Sequence, residues 1–276
     1  MSTHGGHEVY PNPSIALVVL EVRFPPTTTE QREAQLGLRK GLRADFPLFE
    51  QAVEQSLSFD SPAGGGQLES RLLFRYSRRD RTASVAVTPE AVVIETTEYL
   101  GFEWYLDFIR GPLAVVAEVL DPDGVSSIGH RFIDEVRVPH ADGLIDWSRW
   151  IEHTLLTPGL LPLDAGLSAP ERWQGAISYQ TSAEATLTLR YGALEGAAVP
   201  ANGATRREDP VPSGPFFLLD WDSRANPTVT PEFAVDDLLH RCAELYEPVR
   251  AMYHHVTTDA LREVFLTDDQ SQKERP

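Results

Sequence analysis

Glu21-Val22-Arg23-Phe24-Pro25 recurs 114 residues further on as Glu135-Val136-Arg137-Val138-Pro139. Each copy closes an apolar stretch, and each is followed by a segment with helical spacing. Working outward from the first copy, Ile15 to Phe24 reads as a strand ended by Pro25 and Pro26. Thr27 to Thr29 offer N-caps for a helix that runs on from Glu30, with Leu38, Leu42 and Phe46 recurring on its inner face. Pro47 interrupts, a short apolar stretch from Leu48 to Leu57 follows, and the glycine-containing segment Ser61 to Gln67 reads as a flexible connector. Leu72, Phe74 and Tyr76 alternate with Arg71, Leu73 and Arg75, the period of a strand with one apolar and one partly basic face. Thr82 to Val87 and Ala91 to Thr97 complete an antiparallel meander, and a helix spans Phe102 to Leu120, with Gly111 and Pro112 set to kink it.

The same order restarts after Gly124. The second pentapeptide closes a strand, and Trp147, Trp150, Ile151 and Leu155 mark the inner face of a helix over Asp146 to Leu156. Strands are expected at Gln174 to Gln180, Ala185 to Tyr191 and Phe216 to Trp221, with a Pro/Gly/Ala-rich loop from Gly196 to Gly214 before the last. A long helix carries Phe233, Leu238, Leu239, Cys242, Leu245, Tyr246, Val249, Met252 and Tyr253, bent at Pro248, and a short helix closes at Phe265. The expectation is therefore an α+β protein of two pseudo-symmetric β-α-β-β-β-α repeats, residues 14–125 and 126–266. Mainly antiparallel sheets would carry helices on one side, between a flexible tail at 1–13 and a flexible acidic tail at 267–276.

Composition narrows the function classes. The 276 residues hold 24 Lys and Arg against 41 Asp and Glu, a net charge of −17. All of that excess lies after Arg81, because the first 81 residues carry ten charges of each sign. Such a surface repels phosphate backbones and anionic lipid, so nucleic acid is a disfavoured partner. The longest aliphatic run, Ile15 to Leu20, is far short of the about 20 residues a spanning helix needs, and no basic segment precedes it as in a secretory signal. The single cysteine, Cys242, excludes an internal disulfide framework, and a cytoplasmic location is expected.

The chemical motifs are few. Gly64 to Gly66 lacks the Lys-Ser/Thr of a phosphate loop, and no dinucleotide fingerprint follows the first strand. The histidines, His4, His7, His240, His254 and His255 among them, have no metal-site spacing, so no cofactor is expected. Ser126 and Ser127 miss the nucleophile-elbow pattern and read as a turn after Asp121-Pro-Asp-Gly124. Carboxylates near strand ends are the remaining catalytic candidates: Glu95 beside Glu98 in the first half, Asp220 beside Asp222 in the second, and Asp134 with His130 on the strand His130 to Arg137. On that strand His130, Phe132, Asp134 and Val136 share one face and Arg131, Ile133, Glu135 and Arg137 the other, where Arg131, Glu135 and Arg137 form a charge ladder. Arg71, Arg75, Arg78, Arg79 and Arg81 make a dense basic strip, a candidate contact surface for an acidic partner.

Several stretches in order, Pro11 to Pro25, Val87-Thr-Pro-Glu90, Glu95 to Glu103, His130 to Val136 and Val256 to Arg262, resemble a sporadically distributed bacterial family of uncharacterised proteins. That resemblance brings no reaction, cofactor or catalytic residue with it. It implies a gene that travels with mobile, defence or specialised biosynthesis clusters. The sequence-level expectation is a non-catalytic binding or adaptor protein that holds a protein or peptide partner. The alternative is an enzyme or small-molecule binder built on Glu95, Asp134, Asp220 and His130, and the sequence leaves catalysis and oligomeric state open.

Overall fold

The computed structural model describes residues 3–4, 7–8, 13–58, 67–139, 145–157, 170, 172–209 and 211–266. The glycine connector around 64–66, the acidic tail and most of the N-terminal tail lie outside these. The two-residue strands Thr3–His4 and His7–Glu8 pair with each other.

The main sheet has nine strands: β1 (Ile15–Arg23), β2 (Leu48–Ser58), β3 (Gln67–Ser77), β4 (Ala83–Thr88), β5 (Ala91–Thr96), β6 (Ser127–Val136), β7 (Trp173–Gln180), β8 (Ala185–Gly196) and β9 (Gly214–Ala225). Their spatial order is β2-β3-β4-β5-β1-β6-β9-β8-β7, and every neighbouring pair is antiparallel. The first strand of each half, β1 and β6, therefore meet at the centre, and each half then runs outward as a meander from its last strand.

Four helices, α1 (Gln31–Leu42), α2 (Phe102–Leu120), α3 (Val235–Val256) and α4 (Asp259–Leu266), accompany the sheet. Strict alternation decides which face α1 to α3 cover. Ala16, Val18, Leu20 and Val22 of β1 are buried, whereas Ile15, Leu17, Val19 and Glu21 are only half-buried on the other face. The core is continuous from Phe74 and Tyr76 of β3, across β1 and β6, to Leu187 and Leu189 of β8, under α2 and α3. Helices α2 and α3 are unbroken through Pro112 and Pro248.

Two expected elements differ. Leu48 to Leu57 is not a mere apolar stretch after a helix break: it forms β2, paired with β3 from Leu48↔Ser77 to Ser58↔Gln67. The first half is thus β-α-β-β-β-β-α. Over Asp146 to Leu156 the expected helix is replaced by two 3-10 turns, Trp147–Arg149 and His153–Leu155. The reason is tertiary. Ile151 bridges Thr257, the Glu152 N–H donates to the Val256 carbonyl at 2.9 Å, and the Thr258 N–H donates to Trp150 at 3.1 Å. These bonds to the end of α3 satisfy the backbone outside a helix, while Trp150, Ile151 and Leu155 are buried as their spacing predicts.

Candidate functional site

On β6 the helix-facing side carries Ile128, His130, Phe132, Asp134 and Val136, so a carboxylate occupies an apolar row. The β1–β6 pairing is irregular between Ile15 and Leu17, and this brings the start of β1 over Asp134. Ser14 Oγ donates to Asp134 Oδ1 at 2.6 Å, and Trp221 Nε1, from β9, donates to Oδ2 at 3.1 Å. Asp134 is 2% exposed. Burial pushes its pKa up to about 6; the two donors pull it down, and Asp220 behind it adds to the rise.

A cavity of about 90 Å³ opens beside this carboxylate, between the sheet, the start of α2 and the second half of α3. Its walls include Tyr99, Phe132, Trp221, Tyr246 and Tyr253, with Arg250 also on its lining. Phe132 and Tyr246 lie 5.3 Å apart, and Tyr246 stacks on Phe102 at 4.0 Å. The hydroxyls of Tyr99 and Tyr246 are hydrogen-bonded, and burial raises both phenol pKa values. The arrangement is an aromatic slot with a carboxylate at one wall.

His130 lies on the same row as Asp134 but sits deeper. Its ring stacks on Tyr105 at 5.1 Å and packs against Phe132 at 4.3 Å. Burial drives its pKa down to about 3, while the Cys242 backbone pulls weakly the other way from outside hydrogen-bond geometry. Both ring nitrogens, Tyr105 Oη and Ser223 Oγ are buried without a hydrogen-bond partner among the described residues. Cys242, wholly buried, has its thiol pKa pushed up to about 12, which suits a core residue rather than a nucleophile.

The other two carboxylate candidates are on the opposite face. Asp220 faces Ile133 across the β6–β9 pair and takes Arg131 through two bonds of 2.6 and 2.7 Å, with Arg190 at 3.5 Å. Glu95 accepts from Ser84 at 3.3 Å and Thr205 at 2.9 Å. Glu95, Asp134 and Asp220 therefore do not share a pocket, because adjacent residues of paired strands alternate between faces. The expected charge ladder is real in part: Arg137 bonds Glu135 at 2.7 Å, but Arg131 pairs across strands instead of along its own.

The loop between β8 and β9 crosses this open face. Ala198 N–H donates to Glu135 at 2.7 Å, Thr97 Oγ1 donates to the Arg206 carbonyl at 2.9 Å, and Arg206 N–H donates to the Arg81 carbonyl at 2.9 Å. A second cavity, about 250 Å³, lies under it between Asp80, Glu135, Arg206, Arg207 and Glu208.

The five arginines of the basic strip are dispersed. Arg71 lies in β3, and its side chain is outside the described residues. Arg75 is half-buried, with Nε unpaired among the described residues. Arg78 bonds Glu98 at 2.7 Å and lies over the Phe108 ring at 5.2 Å, on the helix side. Arg79 is exposed, and Arg81 holds a left-handed backbone at φ 62°.

Sequence reasoning singled out Asp134 as a candidate but not Ser14, Tyr99, Trp221, Tyr246 or Tyr253, which the structure places around the same cavity. One signal was available: Tyr246 and Tyr253 are seven residues apart on one helix face, and the facing β6 row carries an acid among apolar residues. Among the described residues no group of three or more His, Cys, Asp and Glu side chains could hold a metal. No described helix is long and apolar enough to cross a membrane. No family model and no curated protein matches the chain.

Proposed function

We propose that this protein binds a small ligand, or one small group of a larger one, in the aromatic slot beside Asp134. The observation that carries this reading is a carboxyl group buried at the wall of a cavity that is otherwise lined mainly by rings. Concave, mostly apolar sites with a few convergent polar groups are where proteins hold ligands. This is the small-molecule alternative of the sequence reading, with Asp134 kept and Glu95 and Asp220 removed from the site. Fragment screening by ligand-observed NMR tests it, with Val249→Phe to fill the slot. Val249 lines the cavity, so hits are expected to lose binding in the variant; hits that bind both proteins equally would remove the reading.

A platform for a protein or peptide partner is the second reading, favoured by the outer edge of β7. Among the described residues that strand ends the sheet; its own residues are half-buried or exposed throughout, and Tyr179 is 39% exposed. A free strand edge can accept an added strand. Partner recovery with tagged protein, repeated with Tyr179→Lys, tests that surface; unchanged recovery removes it.

Tandem duplication, from the bacterial family that the motifs resemble, is our account of the architecture. The 114-residue offset maps Val18 onto Phe132, and these two face each other across β1 and β6. It also maps the Glu21–Arg23 pair, 2.6 Å, onto Glu135–Arg137, 2.7 Å. A twofold axis through the Val18–Phe132 pair accounts for both correspondences and for the mirrored strand order.

A further inference from the structure

Among the described residues Asp134 is a buried carboxylate without a counter-ion. Ser14 and Trp221, its two hydrogen-bond donors, are neutral, and among the described residues no basic side chain pairs with it. Neutral donors satisfy lone pairs but leave the charge itself uncompensated, and buried charges in proteins are ordinarily paired. Arg250, on the cavity lining, is engaged with Glu247 at 3.2 Å. His254 also lines the cavity, as an exposed residue. Six rings, Tyr99, Phe102, Phe132, Trp221, Tyr246 and Tyr253, share the lining with Asp134, and the faces of such rings carry negative potential and attract cations. With Arg250 paired to Glu247, the Asp134 carboxylate and the ring faces together favour positive charge in the slot.

We infer that the ligand of this cavity is a compact organic cation, an alkylammonium group that sets its nitrogen against Asp134 and its carbon chain against Phe132, Trp221 and Tyr246. The inference rests on the pocket reading above and names its ligand class. A divalent metal suits the site less, since one carboxylate among aromatic faces offers too few lone pairs. The size agrees: about 90 Å³ takes the end of a side chain or a short amine, and a whole nucleotide does not fit.

The test uses three probes of one chain length, n-butylammonium, 1-butanol and butyrate, titrated calorimetrically into the full chain at mildly alkaline pH, where Asp134 is ionised. The ammonium should bind at least about tenfold tighter than the alcohol or the acid, the scale of one charged hydrogen bond. Asp134→Asn should abolish that preference and retain the near-ultraviolet circular dichroism of the folded protein. If the variant does not fold, the comparison among probes on the wild-type chain decides. Equal binding of 1-butanol or butyrate overturns the charge assignment and leaves the pocket reading standing, as does an Asp134→Asn protein that keeps the preference. Absence of binding by all three probes overturns both.

Discussion

His130 and Asp134 lie four residues apart on one face of β6, and burial moves their pKa values in opposite directions. The imidazole falls from its ordinary 6.5 to about 3. Below pH 6.5 the unfolded chain takes up a proton that the folded chain refuses, so stability present above that pH is lost on acidification toward 3. At 1.36 kcal/mol per pH unit the loss reaches about 5 kcal/mol. The Asp134 carboxyl rises from 3.8 to about 6. Its contribution is complete below pH 3.8 and is lost as pH rises through 6, about 3 kcal/mol in all. Between pH 4 and 6 the two slopes oppose each other. Asp134→Asn is therefore expected to lose thermal midpoint more steeply than wild type between pH 6 and 4, and His130→Leu less steeply. Parallel midpoint–pH curves for the three proteins would show that neither group titrates as its burial requires. Tyr105 makes a related point: its unpaired buried hydroxyl has little to lose, so Tyr105→Phe should be neutral or slightly stabilising in urea unfolding, and a loss above about 1 kcal/mol would reveal a missed partner.

At the scale of elements, the contact between α1 and α2 depends on glycine. A Cβ on Gly37 would stand 2.7 Å from Val119 Cγ1, and one on Gly41 would stand 2.5 Å from Val115 Cγ1. Helix propensity alone makes Gly37→Ala stabilising by about 1 kcal/mol. Overpacking against a β-branched side chain with a stiff χ1 costs about 1–3 kcal/mol. Packing wins, so Gly37→Ala should lower stability, and Gly37→Ala combined with Val119→Ala should recover part of the loss in a double-mutant cycle. A stabilised single variant would mean that α1 can move away from α2 at no cost. Elements also explain the replaced helix: the apolar spacing of Trp150, Ile151 and Leu155 is legible in sequence, but hydrogen bonds to Val256 and Thr258 come from residues about a hundred positions away.

Taken whole, the described residues build one main sheet of nine strands over a continuous core, with β1 and β6 paired at the middle of both. Separating residues 14–125 from 126–266 would expose that central seam on each side, including Val18, Val22, Ile128 and Phe132 at its face. The full chain should therefore unfold in a single transition, with far-ultraviolet circular dichroism and tryptophan fluorescence coinciding. Two resolved transitions would mean that the halves are independent units despite the shared sheet.

Local periodicity by itself determined most of the strands, the helices α1 to α3, the buried rows along them and the placement of His130 and Asp134 on one side of β6. Alternation and helical spacing are properties of the covalent chain, so a sequence records them directly. The pentapeptide repeat also marked the two strands that meet at the centre. Tertiary structure alone decided which of Glu95, Asp134 and Asp220 share a space, since that depends on strand order and on which face the helices cover. It likewise decided that Ser14, Tyr99, Trp221, Tyr246 and Tyr253 close around Asp134, and that the loop after β8 crosses the other face. Those contacts join residues far apart in the chain, 87 positions for Trp221 and Asp134 and 120 for Ser14 and Asp134, and no local pattern encodes a partner at such a distance.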